Sequence, residues 1–447
     1  MEQDLTTGSV FKRIVYFSLP YLLSYFLQTL YGMADLFITG QFYGVDTITA
    51  VSNGSQIMHM MTVIIVGLAM GTTVTIGHSV GAKCMEQAEK IIGNTITLFM
   101  GIAVAFTVIL VVLVKPIVVL IATPQEAVAG TSIYLLICFI GIPFITAYNI
   151  ISSIFRGLGD SKSPMYFIGI ACVMNIALDY LFMGAFHMGA AGAALGTVCA
   201  QTFSVLVALW VIRRRKTGIS LKKSDFKIER AVIGQVLKIG IPVALQDGFI
   251  QVAFMIITVI ANSRGVSDAA AVGIVEKVIS ALFIVPSSML ATVSALSAQN
   301  FGAGKEKRAT DTLRYATVIT TIYGVIVAVL IQFIAENVVG IFTSDTTVVT
   351  MGSAYIRSYI WDCIFAGIHF SFSGYFAACG KSYIGFLHNI ISITFVRVPG
   401  SYLASKYFTD TLYPMGLAAP AGSLVSVAIC VTAFILLKKK SRVAQTA

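Results

Sequence analysis

Asp35 and Asp179 lie in long apolar stretches of the first half of the sequence, and no Lys or Arg accompanies them there. A carboxylate in such surroundings must take up a proton, bind a cation or contact water. Asn175 precedes Asp179 by four residues, which places both side chains on one face of a helix. Carboxylate and amide oxygens suit a hard cation or a shared proton. The pattern predicts a reversible H⁺ or Na⁺ site. The alternative is that the two aspartates only pack, bonded to hydroxyl groups.

The second half of the sequence has a different charge pattern within its apolar stretches. It contains three acidic and three basic residues there: Asp247, Glu276, Asp362, Lys277, Arg357 and Arg397. Because the two signs balance, structural or gating ion pairs are the first interpretation. Contact with a substrate or a cation is the second, and it makes Asp247, Glu276 and Asp362 candidates for lining a substrate cavity.

Two further residues are close to Asp35 in the sequence. Pro20 removes a backbone hydrogen bond from the same apolar stretch and predicts a kink, either a moving hinge or a static bend. Tyr31 precedes Asp35 by one helical turn, and it is the aromatic residue that we expect in a cavity for lipophilic cations.

The elements that carry these residues must be membrane helices. The chain of 447 residues is 57% hydrophobic and 11% charged, with a mean hydropathy of +0.88. Soluble domains average about 25% charged residues. Apolar runs of about 20 residues or more, without alternation, favour helices over a β-barrel. We therefore predict an all-α integral membrane protein, which excludes a cytosolic enzyme, a secreted disulfide scaffold and a disordered chain.

The apolar stretches predict twelve spans. These are residues 14–40, 47–78, 91–114, 127–155, 163–185, 190–212, 232–262, 269–297, 312–335, 347–378, 382–404 and 414–437. On this map, 24 of the 30 Lys and Arg residues fall on the side of the two termini, if Lys238 and Arg314 near the ends of two spans on that side are counted. The positive-inside rule then places both termini in the cytoplasm. The net charge of +10 is explained by this topology, and we expect no nucleic-acid partner.

The two halves of the sequence repeat each other at an offset of 221 residues. The run GHSVGAKCMEQA (77–88) matches AQNFGAGKEKRA (298–309), and matched residues occur on both sides of it. Each copy has six spans, so the repeats are parallel. We expect an N-lobe at 1–217, a basic cytoplasmic linker at 218–230 and a C-lobe at 231–447, around a central cavity. Parallel six-helix repeats are typical of alternating-access transporters. A channel is the alternative, although the sequence has no filter-like loop.

The sequence contains no signature of an enzyme or of a resident cofactor. The seven cysteines have no C-x-x-C pair, the five histidines have no metal-ligand spacing, and there is no P-loop. We therefore expect no enzymatic activity, no metal site, no cofactor and no direct use of ATP.

Four sequence motifs resemble the multidrug and toxic compound extrusion (MATE) family. They are ADLFITGQFYG (34–44), FRGLGDSKSP (155–164), NIALDYLF (175–182) and AQNFGAGKEKRA (298–309). The resemblance covers essentially the whole chain and implies efflux of organic cations or other amphipathic compounds in exchange for H⁺ or Na⁺. It further implies a multi-pass protein of the inner or plasma membrane. We expect it to be a monomer, surrounded by lipid.

Within that family the chain resembles the DinF-like branch. The resemblance implies a cation-coupling network of Asp35, Asn175, Asp179 and Thr197, a bend of the first span at Pro20, and a role for Tyr31 beside the aspartate. The NorM-like branch uses acidic residues at two C-lobe positions that are Ile250 and Ile368 here. Two other functions remain as alternatives. A lipid-linked oligosaccharide flippase would need a cationic cavity, and an intramembrane transferase would need a catalytic motif.

Overall fold

The protein is almost entirely helical. The computed structural model describes residues 4–214 and 220–446, with side chains as far as 439, and these residues include no β-strand. Helices satisfy all backbone hydrogen bonds within one segment, which is what a chain of this composition needs in lipid. The predicted domain boundary at 217/218 and the first two linker residues, 218 and 219, lie outside the described residues.

The first half of the chain forms seven α-helices. These are α1 (Val10–Phe42), α2 (Val45–Gly81), α3 (Met85–Leu120), α4 (Val128–Ile140), α5 (Ile142–Gly157), α6 (Lys162–Asp179) and α7 (Gly189–Arg214). Two 3₁₀ turns and one π-helix accompany them, at Gln125–Ala127, Lys223–Phe226 and Tyr180–Ala185.

The second half forms ten further helices and a second π-helix. The helices are α8 (Arg230–Asn262), α9 (Val266–Leu282), α10 (Ile284–Gly302), α11 (Glu306–Gly340), α12 (Thr346–Tyr359), α13 (Asp362–Ala378), α14 (Tyr383–Ser392), α15 (Val398–Tyr407), α16 (Tyr413–Gly416) and α17 (Ala418–Thr446). The π-helix is Ile393–Arg397.

These helices group into twelve spans, as the sequence predicts, because several spans consist of two helical pieces. Within the described residues, eight helical segments are each long and apolar enough to cross a membrane alone, and the bent pair of α4 and α5 makes a ninth. That pair bends by 51° at Gly141. The matching break between α12 and α13 precedes Asp362, which corresponds to Gly141 at the offset of 221 residues. The repeat is therefore visible in the helix breaks as well as in the sequence.

The chain forms two compact units. Unit 1 contains residues 4–7, Val15–Ala244 and Ala298–Gly304, and unit 2 contains Gly8–Ile14, Leu245–Ser297 and the residues from Lys305 onward. The largest apolar core of unit 1 packs α1, α2, α3, α4 and α7 together, with Tyr134 and Phe139 completely buried. The core of unit 2 packs α8, α9, α11, α12, α13 and α16 together.

Part of the predicted linker is fastened to α3 inside unit 1. The Asn94 side chain, which is 1% exposed, donates to the Asp225 carbonyl at 3.0 Å and accepts from the Glu229 backbone amide at 2.7 Å. Thr97 donates to the Phe226 carbonyl at 2.9 Å. These bonds hold the chain in place just before α8 begins.

Candidate functional site

Asp35 is a buried carboxyl group in the middle of unit 1. It lies in α1 and is 3% exposed. One oxygen, Oδ2, accepts a hydrogen bond of 3.3 Å from the hydroxyl group of Thr197 in α7. The other oxygen, Oδ1, is buried and has no hydrogen-bond partner among the described residues. Half of the carboxyl group is therefore available to a proton or a cation.

Asp179 and Asn175 approach Asp35 from α6. Both side chains are completely buried, and both interact with the Asp35 carboxyl group. Asp179 is the last residue of α6 and is followed at once by the π-helix. The extra residue per turn of a π-helix changes the direction of the following side chains, and such helices are frequent at functional sites.

The structure thus brings together all four residues predicted to couple transport to a cation. Among the described residues, neither oxygen of Asp179 and neither amide atom of Asn175 has a hydrogen-bond partner. No Lys or Arg of the described chain is among the groups that act on the two carboxyl groups. Two carboxyl groups can lie side by side in a buried place when a proton or a cation is shared between them. The oxygen donors suit H⁺ or Na⁺.

Gly196 of α7 makes the close approach of Asp179 sterically feasible. A Cβ atom built at residue 196 would overlap Oδ1 of Asp179. The sequence analysis missed this residue, because α7 begins with several small residues and nothing distinguishes Gly196 from its neighbours. Only its position directly before Thr197, a residue named by the family resemblance, could have marked Gly196 as part of the site.

Thr39 and Tyr43 tie α1 to the π-helix, and the sequence analysis missed them as well. The Thr39 hydroxyl group contacts both the Asp35 carbonyl, at 2.6 Å, and the sulfur of Met183, at 3.5 Å. Tyr43 donates to the Met183 carbonyl at 3.0 Å and accepts from the Gly189 amide at 2.9 Å. Because these bonds join α1 to the segment after Asp179, a displacement of either carboxyl group acts on both helices.

Tyr31 and Pro20 lie on the same helix as Asp35. Tyr31 is beside the Asp35 carboxyl group and interacts with Gln201 of α7. Pro20 is buried in the first half of α1, and its carbonyl accepts a 2.8 Å bond from Ser24. Proline and a serine bonded to the preceding turn both bend helices. The bend and the carboxyl group are about 22 Å apart along the axis, at 1.5 Å per residue.

Unit 2 contains a second polar cluster, built around Arg397. Glu276 of α9 accepts a 3.3 Å hydrogen bond from Thr258, and Asp362, at the start of α13, is 1% exposed. Both carboxylates act electrostatically on the guanidinium group of Arg397, which lies at the end of the second π-helix. This cluster therefore contains its own cation, unlike the cluster of unit 1.

The other charged residues predicted in the spans of unit 2 lie elsewhere. Arg357 pairs with Glu336 of α11 at 3.2 Å, near the surface. Lys277 is exposed, and its side chain diverges from that of the adjacent Glu276. Asp247 is half-buried in α8 and is not among the groups that act on Arg397. Of the three acidic candidates for a substrate cavity, the structure thus places Glu276 and Asp362 near Arg397 and leaves Asp247 apart from it.

Comparison with known proteins places this architecture in a family. The MatE family model matches residues 20–181 and 242–403, one stretch in each half of the chain. The chain belongs to the MatE family. It is therefore a membrane transporter and not an enzyme, and the resemblance to the extrusion family is confirmed. The more specific likeness to the DinF-like branch stays a prediction.

Named relatives and solved structures agree with this assignment. A probable multidrug resistance protein of Bacillus subtilis, YpnP, is 30% identical over 93% of both chains. The multidrug export protein MepA of Staphylococcus aureus is 24% identical over 83% of this chain and 82% of its own. A MATE crystal structure in complex with MaL6 has 20% identity, 99% coverage of both chains and a TM-score of 0.90. The outward-facing structure of a MATE multidrug resistance transporter has 21% identity, covers 97% and 98% of the two chains and also scores 0.90.

Proposed function

We propose that the chain is an antiporter that exports lipophilic or cationic compounds in exchange for H⁺ or Na⁺. The observation that carries this proposal is the buried cluster of Asp35, Asn175, Asp179 and Thr197, which has unpartnered oxygens and no basic residue in the part of the chain that the structure describes. A cation or proton at this cluster cancels the repulsion between the two carboxylates. When the cation or proton leaves, the repulsion returns. The free energy of the cluster therefore depends strongly on occupancy, as coupling requires.

The geometry of α1 supports alternating access. Asp35 lies on the same continuous helix as Pro20, where the backbone lacks one hydrogen bond. A change of charge at Asp35 biases the position of α1 through Thr197 and through the contacts of Thr39 and Tyr43 with the π-helix. In our proposal, loading the cluster with the cation favours release of the drug, and drug and cation compete for the acidic site.

The residues around the cluster support an amphipathic substrate. Tyr31 presents an aromatic ring beside Asp35, and aromatic faces attract organic cations. The relatives are named for multidrug resistance and multidrug export, which agrees with broad substrate recognition. We propose that the protein works as a monomer in the cell membrane, with both termini in the cytoplasm and small amphipathic molecules as its substrates.

The decisive experiment is export of ethidium from proteoliposomes that contain the purified full chain. A pH gradient without Na⁺ is compared with a Na⁺ gradient at constant pH, and Asp35→Asn is measured beside the wild type. We expect export to follow one of the two gradients and to fall to the background of empty liposomes in Asp35→Asn, since asparagine has neither the negative charge nor the exchangeable proton of the carboxyl group.

Asp46→Asn is the matched control, because it removes a carboxylate from an exposed position at the start of α2. It should transport ethidium like the wild type. Full coupled export by a folded Asp35→Asn protein would contradict the proposal. A wild-type protein that moves ethidium under neither gradient would also contradict it, and would favour a lipid or glycan substrate.

A further inference from the structure

Arg397 is a half-buried cation that the proposed transport cycle of unit 1 does not use. It ends the π-helix Ile393–Arg397, and its guanidinium group lies over the rings of Phe254, at 5.0 Å, and Tyr359, at 5.4 Å. It also donates a hydrogen bond to the hydroxyl group of Tyr359. Two aromatic faces and one hydrogen bond hold the charge in one place. A charged group within a membrane span is costly, so a function for it is the first hypothesis.

The surroundings of Arg397 contain more negative than positive charge. The ionisable groups that interact with it are Glu276 of α9, Asp362 of α13, His369 of α13, and Tyr355 and Tyr359 of α12. Neither carboxylate forms a direct ion pair with it within the part of the chain that the structure describes, so the attraction acts over a longer distance. Glu276 Oε1, Asp362 Oδ1 and Arg397 Nε are each buried without a hydrogen-bond partner among the described residues.

Without Arg397, unit 2 would resemble unit 1 in holding buried acidic groups that no basic side chain neutralises within the described residues. Unit 2 would then hold two carboxylates and one threonine hydroxyl, Thr258, which bonds Glu276 at 3.3 Å. Unit 1 holds two carboxylates and the Thr197 hydroxyl, which bonds Asp35 at the same distance. The clusters differ in the cation, which unit 2 supplies from its own chain and unit 1 has to obtain from solution. They also differ in their acids, which act on each other in unit 1 but only on Arg397 in unit 2.

We propose that Arg397 is a tethered cation that permanently takes the place of an exchangeable cation beside the carboxylates of unit 2, so that only unit 1 exchanges H⁺ or Na⁺. This inference rests on the proposed cation coupling at Asp35 and Asp179 and extends it. Arg397 is a positioning residue, since it acts through Glu276 and Asp362. Unit 2 keeps the arrangement of a cation-loaded site throughout the cycle.

The test measures cation binding through thermal stability and needs no transport. The purified full chain carries Asp35→Asn and Asp179→Asn, which remove the unit 1 site. Its melting temperature is recorded from 0 to roughly 100 mM Na⁺ and across a pH series, since a ligand that binds only the folded state raises Tm. We expect this background protein to show no rise in Na⁺. We expect the added Arg397→Gln change to create a rise of about 3 °C in Na⁺, or a rise toward acid pH that exceeds the background's own by about 3 °C.

Two further variants separate the charge from the packing of the arginine. Arg397→Lys keeps the cation, so its melting temperature should respond to Na⁺ and pH as that of the background protein does. Arg397→Gln with Glu276→Gln removes one charge of each sign and should lose most of the new sensitivity. If Arg397→Gln alone fails to fold, Arg397→Lys and the double variant Arg397→Gln with Glu276→Gln should still fold. Their melting temperatures should then respond to Na⁺ and pH as that of the background protein does.

Several outcomes would overturn the proposal. One is an Arg397→Gln protein that is folded and shows no new dependence on Na⁺ or pH. Others are an Arg397→Lys protein that gains the dependence although the charge is preserved, and a folded double variant that keeps the full rise. Failure of the proposed function would appear separately, as wild-type liposomes that move no ethidium under either gradient.

Discussion

The polar clusters of the two units carry different charges, although the units derive from repeated halves of one sequence. In unit 1, no basic side chain among the described residues acts on Asp35 and Asp179. In unit 2, Glu276 and Asp362 act on Arg397. At the offset of 221 residues Asp35 corresponds to Ile256 and Glu276 to Ser55, so the acids do not occupy equivalent positions. A duplicated helical scaffold can therefore hold two electrostatically distinct clusters, and we propose that only the cluster of unit 1 exchanges a cation.

The most direct test of this difference between the two clusters removes one acid from each unit. We expect Asp179→Asn to lower coupled ethidium export by about 100-fold, because an ionic contact worth up to about 3 kcal/mol is lost from the exchange site. Asp362→Asn should lower export by less than about fivefold, since the remaining Glu276 still balances Arg397. Initial export rates in proteoliposomes with equal protein content check both values. Equal losses in the two variants would mean that the clusters do not differ in function.

The next largest effect is expected from Gly196→Ala in unit 1. The new methyl group would overlap Asp179 Oδ1, so the carboxyl group must move or the helices must separate. Overpacking of this kind costs about 1–3 kcal/mol, and a displacement of Asp179 should reduce export by about 10-fold. The melting temperature measures the cost of overpacking, and the export rate measures the effect of displacing Asp179.

Gly101→Ala is the control for this prediction. Gly101 of α3 has open space where its Cβ would be, so alanine should leave export unchanged and keep or slightly raise stability. Normal export by Gly196→Ala would show that Asp179 does not need its observed position.

The smallest expected effect comes from replacing a threonine that contacts a carboxylate in each unit. Thr197 and Thr258 each donate a 3.3 Å hydrogen bond to a carboxylate, one in each unit. Valine has the same shape without the hydroxyl group, so Thr197→Val should cost about 1 kcal/mol, or about a fivefold change in the cation concentration for half-maximal export. Thr258→Val should leave that concentration unchanged. A cation titration of export rates distinguishes the two, and equal shifts would show that unit 2 also takes part in exchange.

Much of the candidate site could be predicted from the sequence because it depends on local geometry. Asn175 and Asp179 share a helix face through their four-residue spacing, and the structure shows both beside Asp35. The sequence repeat also predicted that the two halves have matching helices. The structure shows this match in the helix breaks at Gly141 and before Asp362. Thr197 came from the family resemblance, since one threonine among many hydroxyl residues of the spans carries no signal by itself.

Other features could not be predicted because they depend on contacts between distant residues. The close approach of Gly196 to Asp179 requires the packing of α6 against α7. The two π-helices follow no residue pattern that we could recognise. The sequence showed balanced charges in the second half but not their partners: Arg357 pairs with Glu336, and Asp247 stays apart from Arg397.

The sequence by itself determined that this is a helical membrane protein, how many spans it has, and that its two halves repeat. Composition and periodicity suffice for these properties, because lipid demands apolar side chains and internally bonded backbones. The tertiary structure decided which charged groups meet. Coulomb energies depend on distances between helices that are far apart in sequence, so only the packed units show one acidic cluster without a cation and another built around Arg397.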